Sequence, residues 1–546
     1  MAISTAREFR SSSSRRLRRR LCVAALVIPV LAQAQQSVSA SSTGSDVPTD
    51  ARVLTPLQQR GTFVEFTTRF ITRATNNVAF VSDRTASSDM VSQLMPQLMM
   101  RNVGADWMIE SKGLLNFVSY LRNPAKNTVL PEGGVNYTAR VIDRWLAVDG
   151  SMDAITTMGD AYGVVVAGTD PANRQVTYRE RLSPYTSQQL SPTTRLLLRS
   201  DNSWSQTPQP VGVSPDNLLL YGDSYVQKDL LRFDARGEPV GFKAEVSHLE
   251  TRYLRLTSPP IITDTVQMSV PVALDPTFVI EPRLGYDRAQ YAGITVADRF
   301  PGLGLHWKPM PRSTLDAMVE QRFFGKSWDV SLLLQRPFWM MEGTFRRSLN
   351  SYAVRLMSLN TAGSVEAMAD RILQSSIDDP VARGQAVRDV MSRLGVPELT
   401  TGPTDIFSDR AQVEQVARVT MSLSGVRNSL SLRGYKVFTN DVGTDTSGAE
   451  VALLTNTSSQ EGATLAWKHR LSETDLVQLS WMIARTQGLV VNRAQESFNR
   501  GVEVELTARL STRTKGNVGF RRRMLESSTI GVGHESALFA GLEHRF

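Results

Sequence analysis

Apolar residues recur at every second position in stretches from residue 62 to the C-terminus, the period of strands with one apolar and one polar face. In Thr62 to Arg73, Val64, Phe66 and Phe70 share a face against Glu65, Thr67 and Arg69. Asn136 to Asp149 reads as one strand, with Tyr137, Ala139, Val141, Trp145 and Ala147 opposing Thr138, Arg140 and Arg144. Val502, Val504, Leu506, Ala508 and Leu510 oppose Glu503, Glu505, Thr507 and Arg509; past Ser511 to Lys515, Val518 and Phe520 oppose Asn517, Gly519 and Arg521. The final stretch sets Leu538, Ala540, Leu542 and Phe546 against Glu543 and Arg545, with His544 where an aromatic is more usual. About 20 such segments of roughly 10 residues are more than a soluble sandwich needs, and they predict an all-β chain: a transmembrane antiparallel β-barrel of about 16–20 strands. Leu542 and the terminal Phe546 then read as the signal that barrel-assembly machinery recognises.

Connection lengths carry a second periodicity. Ser511 to Lys515, Leu471 to Thr474 and Ser424 to Arg427 are short, whereas Gln487 to Asn499, Thr439 to Gln460 and Asn360 to Asp409 are long. Short turns alternating with long loops fit a barrel whose C-terminus faces the periplasm and whose long loops face outward. The longest connection holds the helical insert 364–394: Val365, Met368 and Ile372, then Val387, Val390, Met391 and Leu394, fall at helical spacing around the break at Asp378-Asp379-Pro380. The plain reading is a loop folded onto the barrel rim, ahead of an inward-folded constriction or plug, and its length leads to the expectation that it controls access to the lumen or meets a partner at the outer surface.

The N-terminus adds a compartment. Arg15 to Arg20, the apolar run Cys22 to Ala32 and the small-residue site Ala32-Gln33-Ala34 read as a signal peptide over 1–34, cleaved after Ala34, followed by a flexible segment over 35–58 and the barrel over 59–546. That signal removes seven Arg and one Glu, so the net charge of +8 falls to +2 and basicity gives no argument for nucleic acid. Cys22 is the only cysteine, so the mature chain can build neither disulfides nor thiolate chemistry. No mature segment approaches the roughly 18 uninterrupted apolar residues of a spanning helix. These features predict the cell outer membrane, with its lipid as surroundings.

Candidate chemistry sits on the inward face. Arg69, Arg140, Arg144, Arg433, Lys468, Arg509 and Arg521 are expected to line the lumen, interleaved with Glu65, Glu320, Glu503 and Glu505. The wall is charged but of mixed sign, which suits cross-strand pairing and leaves an anion path as the alternative. The five histidines, His248, His306, His469, His534 and His544, show no metal spacing, and no cofactor or catalytic set is expected. His534-Glu535-Ser536 has the His-x-Ser spacing that resembles outer-membrane lipid A deacylases, and rim residues are the plainer reading.

Distributed motifs carry a family resemblance. Gly304-Leu-His-Trp-Lys-Pro-Met-Pro-Arg-Ser-Thr-Leu315, Gln321-Arg-Phe-Phe-Gly-Lys-Ser-Trp328 and Thr344-Phe-Arg-Arg-Ser348 resemble outer-membrane proteins associated with the PEP-CTERM/exosortase system of Gram-negative bacteria. Arg140 to Asp149, Tyr178 to Pro184 and Asp379 to Val387 fit the same family, and the resemblance spans roughly residues 55 to 546. It implies a non-enzymatic exported barrel, with exopolysaccharide or its export components as partners, in export or surface assembly of polysaccharide. A general diffusion porin is the alternative reading, and an outer-membrane lipid-modifying enzyme the second.

Overall fold

The computed structural model describes residues 61–546 apart from 144, 159–173, 209–222, 257, 311, 337, 359–407, 443–456, 491–492 and 529. The expected signal peptide, the 35–58 segment, Arg144 and the insert 364–394 lie outside the described residues.

The strands begin with β1 (Gly61–Thr75), β2 (Asp89–Val103), β3 (Trp107–Tyr120), β4 (Thr128–Ile142), β5 (Leu146–Met158), β6 (Arg174–Ser191), β7 (Thr194–Gln206) and β8 (Ser224–Ala235). Next come β9 (Phe242–Tyr253), β10 (Ile261–Ser269), β11 (Val272–Asp275), β12 (Phe278–Tyr291), β13 (Ile294–Met310), β14 (Ser313–Arg322), β15 (Gly325–Arg336) and β16 (Trp339–Asn350). After a short helix α1 (Tyr352–Ser358), β17 (Gln412–Ser424), β18 (Asn428–Asp441), β19 (Thr457–Arg470), β20 (Asp475–Val490), β21 (Arg493–Arg509), β22 (Thr514–Ser527) and β23 (Gly531–Arg545) complete the wall.

Successive strands pair antiparallel, and β1 returns to β23, from Thr67 opposite Arg545 to Thr75 opposite Ala537. The sheet therefore closes into a barrel with no free edge, the condition for a β-structure in hydrocarbon. Both β10 and β11 pair with β12 and form one stave interrupted at Val270-Pro271, so the 23 strands make 22 staves. Proline has no N–H to give to the ladder, which is why the break falls there.

The stave number exceeds the expected 16–20 for an identifiable reason. Asn136 to Asp149, read as one strand, is two: β4 ends at Ile142, β5 starts at Leu146, and Trp145 N–H donates to the Ile142 carbonyl across the turn. That turn carries neither Gly nor Pro, and a shift in register at Arg140 to Ile142 lets the alternation run through it. Other reversals are equally brief. Ala292 and Gly293 join β12 to β13 with φ of 50° and 77°, the positive values that match a two-residue hairpin to the strand twist.

A second expectation is corrected at Gln487 to Asn499. No long loop lies there, because β20 and β21 run on until Val490 pairs with Arg493. Above the apolar belt polar residues enter the outward face too, Arg485, Gln487 and Glu496 beside Phe498, so the strand continues without the alternation that marks it lower down. The expected turns at Leu471 to Thr474 and Ser511 to Lys515 are found, the second ending sooner because β22 starts at Thr514, and Ser472 Oγ and Ser511 Oγ tie them by accepting backbone N–H bonds. The short turns share the barrel end occupied by Phe546, here the turn end; the opposite end is the loop end.

Face assignment follows the ladders. Val64, Phe66, Phe70, Leu284, Leu303, Val504, Phe520 and Leu538 are exposed on the outside, while Glu320, Arg433, Arg521 and Glu535 are buried on the inside. Inward aromatics lie over cross-strand glycines: Phe300 opposite Gly285, Tyr435 opposite Gly462, and Phe539 opposite Gly519. The missing side chain makes room for the ring, a device that pins strand register.

Candidate functional site: the lumen and its mouth

Inward positions on β5 to β9 bring charges together by register. Arg179 makes a two-pronged bond to Asp153 at 2.6 and 2.7 Å. Arg199 reaches Asp149 and Asp201, each at 2.9 Å, above the Tyr185 ring. On β8 Arg232 pairs with Asp234 at 3.1 Å. The bidentate Arg179–Asp153 bond fixes direction as well as distance, and Arg199, held between two carboxylates, is fixed likewise, so these groups hold a stiff polar surface.

The pattern continues to β14. Lys243 and Arg283 both bind Glu281, at 2.7 and 2.8 Å. Arg322 bridges Asp287 and Glu320 at 2.7 and 2.9 Å with its guanidinium 4.2 Å from the Phe300 ring centroid. A polar concavity of about 60 Å³ between Arg232, Lys243, Glu245, Gln267, Ser269, Glu281 and Arg283 has room for a few waters. Beside the closing seam, Arg521 of β22 and Glu535 of β23 form a 2.7 Å pair with exposures of 2% and 0%, and Thr75 Oγ1 of β1 donates across the seam to the same carboxylate.

The expected lumen residues divide. Arg433 and Arg521 are buried on the inner wall, and Lys468 lies on the same face of its strand as buried Ala466 and Thr464. Arg69 sits on the inner face of β1, in register with Glu543. Arg140 pairs with Asp106 and Asp143 beside the turn, and exposed Arg509 closes β21, so both mark the turn-end rim. Sequence reasoning missed Arg179, Arg199, Arg283 and Arg322 and most of their carboxylates. A signal was present: opposite charges two residues apart in Arg199/Asp201, Arg232/Asp234, Glu281/Arg283 and Glu320/Arg322 share a strand face and pair.

Described segments fold into the loop-end mouth. Helix α1 leaves β16 and packs Tyr352, Ala353 and Leu356 against Ile155, Val226, Tyr253, Ile261 and Tyr291 of the inner wall. Arg179 donates to the Leu356 carbonyl at 2.6 Å, Arg355 to Gln412 Oε1 at 2.7 Å, and Tyr253 Oη to the Ser408 carbonyl at 3.0 Å. Next to Ser408, burial pushes the Asp409 carboxyl up. On the other side Val78 packs on Val91, Val118 and Tyr120, and Phe80 on Leu525, so the β1–β2 connection also turns inward.

The histidines stand apart. His248 Nδ1 lies 2.6 Å from Asp264, His306 Nδ1 meets Asp316, and His469 and His544 contact Asn428 and Thr514. His534 is at the outer rim with Nδ1 2.7 Å from Asp83 Oδ2, and its backbone N–H donates to Asp83 Oδ1. The Ser536 backbone N–H donates to Asn76 Oδ1. Together these bonds strap the β1–β2 connection to β23. Hydrogen bonds from His534 hold the Asp83 carboxyl below its ordinary range. At the turn end Phe546 packs on Phe66 and His544, ring centroids 5.1 and 4.7 Å away, so His544 joins the terminal aromatic cluster.

No family model and no curated protein matches the chain. Among solved structures, the siderophore receptor PirA of Acinetobacter baumannii is similar at 8% identity and a TM-score of 0.46, over 90% of this chain and 81% of that one. The FrpB iron transporter of Neisseria meningitidis aligns at 9% identity and 0.43, over 88% and 82%. OpdK of Pseudomonas aeruginosa aligns at 7% and 0.33, over 89% and 99%. At these scores the likenesses carry no argument about what this chain does.

Proposed function

We propose that the chain is an outer-membrane transport barrel of a PEP-CTERM/exosortase and exopolysaccharide system, acting in the export or surface assembly of polysaccharide. The observation that carries the reading is the inner wall, a closed circuit of 22 staves faced with paired guanidinium and carboxylate groups, hydroxyls and tyrosine rings. A hydrated polyhydroxylated chain finds hydrogen-bonding partners there in both senses. The exposed apolar outer face supports placement in a bilayer, and α1 in the mouth favours a controlled path over an open pore. The reading assigns no catalytic step to the chain: Asp83 and His534 serve as a strap.

Conductance of the full mature chain in planar bilayers tests this, together with surface polymer in cells lacking the gene. Low conductance, further blocked by acidic polysaccharide fragments, and loss of surface polymer are expected. Steady conductance indifferent to polymer, with unchanged surface polymer, would make the chain a general diffusion porin instead.

A further inference from the structure

The outer wall carries arginines of a different kind from the inner wall. Climbing the outward face of β21, Leu506, Val504 and Val502 give way to Arg500; on β22, Val518 and Phe520 give way to Arg522. Arg500 is opposite Met524, and Arg522 is two residues from Met524 on the same face, so the two cations are diagonal neighbours about 7–8 Å apart at the backbone. The same arrangement recurs on β12 and β13, where Arg288 is opposite Ala297 and Arg299 stands two residues further along, above Leu284 and Leu303.

Among the described residues none of these four guanidinium groups has a carboxylate partner; Arg500 rests on Met524 Sδ at 2.7 and 3.1 Å. Their neighbours are accounted for. Asp264, in register with Arg288, is held by His248, and Glu496 is held by Arg485 at 2.7 Å. Glu526, two residues above Met524, is the other diagonal neighbour of Arg500, and no ion pair joins the two; the Arg500 guanidinium lies on Met524 instead.

Height decides what they meet. A strand rising about 3.3 Å per residue and tilted about 40° climbs roughly 2.5 Å per residue along the barrel axis. Arg522 then stands about 20 Å above Thr514 at the turn end, and Arg299 about 27 Å above Met310, which is the far edge of an apolar band about 25 Å tall. A cation without a counter-charge at that level faces lipid headgroups.

Resting on the bilayer placement above, we propose that the Arg500/Arg522 and Arg288/Arg299 pairs each bind a phosphomonoester headgroup of an anionic lipid in the loop-end leaflet. Two guanidinium groups can grip one phosphate through charge-assisted bonds while the acyl chains lie on the apolar staves below.

The test uses the full mature chain inserted into vesicles of phosphatidylcholine with or without phosphatidic acid, then released for native mass spectrometry. Preferential retention of phosphatidic acid is expected. Each arginine changed to Gln should weaken it about tenfold, the factor for one charge-assisted bond. R485Q, which disturbs a paired arginine, should leave retention unchanged, and heat-modifiable gel migration checks that each variant folds. Equal retention of both lipids, or folded R500Q/R522Q and R288Q/R299Q variants that retain phosphatidic acid like the wild type, would overturn the proposal. Displacement of the lipid by inorganic phosphate alone would also overturn it, making the pairs sites for a free ion. A chain that floats with neither vesicle overturns the bilayer placement itself, whereas a floating chain without lipid preference overturns only this inference.

Discussion

Changing Gly285 to Ala places a methyl group against the Phe300 ring. A Cβ built at Gly285 lies 2.2 Å from Phe300 Cζ and 2.5 Å from Cε1, far inside contact distance, and Phe300 is 1% exposed beneath Arg322. The ring has to leave its seat, and overpacking of this kind costs about 1–3 kcal/mol. Phe300→Ala alone should cost about 3–5 kcal/mol as a large-to-small change, with about 0.5–2 kcal/mol more from the lost cation–π contact. In the Phe300→Ala background the clash has no partner, and Ala at 285 should be neutral or slightly favourable because Gly weakens a strand interior by about 0.5–1 kcal/mol. The double variant should therefore be no less stable than Phe300→Ala, a coupling of at least about 1–3 kcal/mol. Urea unfolding of vesicle-inserted protein, followed by tryptophan fluorescence, measures all four corners of the cycle. Additive losses, or a Gly285→Ala variant as stable as the wild type, would refute the ring-over-glycine account of register.

Glu535→Ala leaves Arg521 buried without the carboxylate now 2.7 Å away and should destabilise the barrel by about 3–5 kcal/mol in the same urea assay; a loss under 1 kcal/mol would mean that lumen water replaces the partner. Asp83→Asn should speed hydrogen exchange across residues 76–88 at neutral pH. Because the Asp83 carboxyl is depressed, its contribution to the strap is present above the ordinary carboxylate range and is lost as pH falls through the lowered value, so wild-type exchange should rise only in strong acid. Leu356→Asp puts a charge into the cluster that seats α1 and should raise single-channel conductance without loss of heat-modifiable migration; unchanged conductance would show that α1 does not narrow the path.

How far the fold could be read from sequence follows from where alternation survives. In the belt one face meets lipid and the other water, so Val502 to Arg509 and Leu538 to Arg545 show their faces, and these parts of β21 and β23 fall where the period puts them. Outside the belt that contrast fades. Strand ends such as Arg485 and Glu496 have polar surroundings on both sides and imitate a loop, while the turn at Asp143 to Trp145 lacks a breaker residue and imitates a strand. Counting staves needs those two features, so closure and class were legible and the number was not. In the lumen, period alone places Arg433 and Arg521 on the inner wall. It cannot say that Arg521 meets Glu535, or Arg322 meets Asp287, because those meetings depend on register between strands. Same-strand pairs two residues apart, Arg199 with Asp201 among them, are the exception, since they need no knowledge of the partner strand.

Pairing also decides what each arginine can do. On the inner wall, Arg179, Arg199 and Arg322 hold carboxylates at 2.6–2.9 Å, so each presents a dipole to the lumen and its field falls off faster than that of a free charge. With salt screening over about 8 Å on top of that, these pairs contribute little field away from the wall. Under the proposed polymer role, such pairs would neither hold nor repel a charged chain strongly, and its sugars would exchange hydrogen bonds with side chains already fixed in place. Outward Arg500 and Arg522 lack that neutralisation and keep their full charge where the apolar belt ends. The same residue type thus suits passage on one face and retention on the other, and the difference lies in whether register supplies a carboxylate.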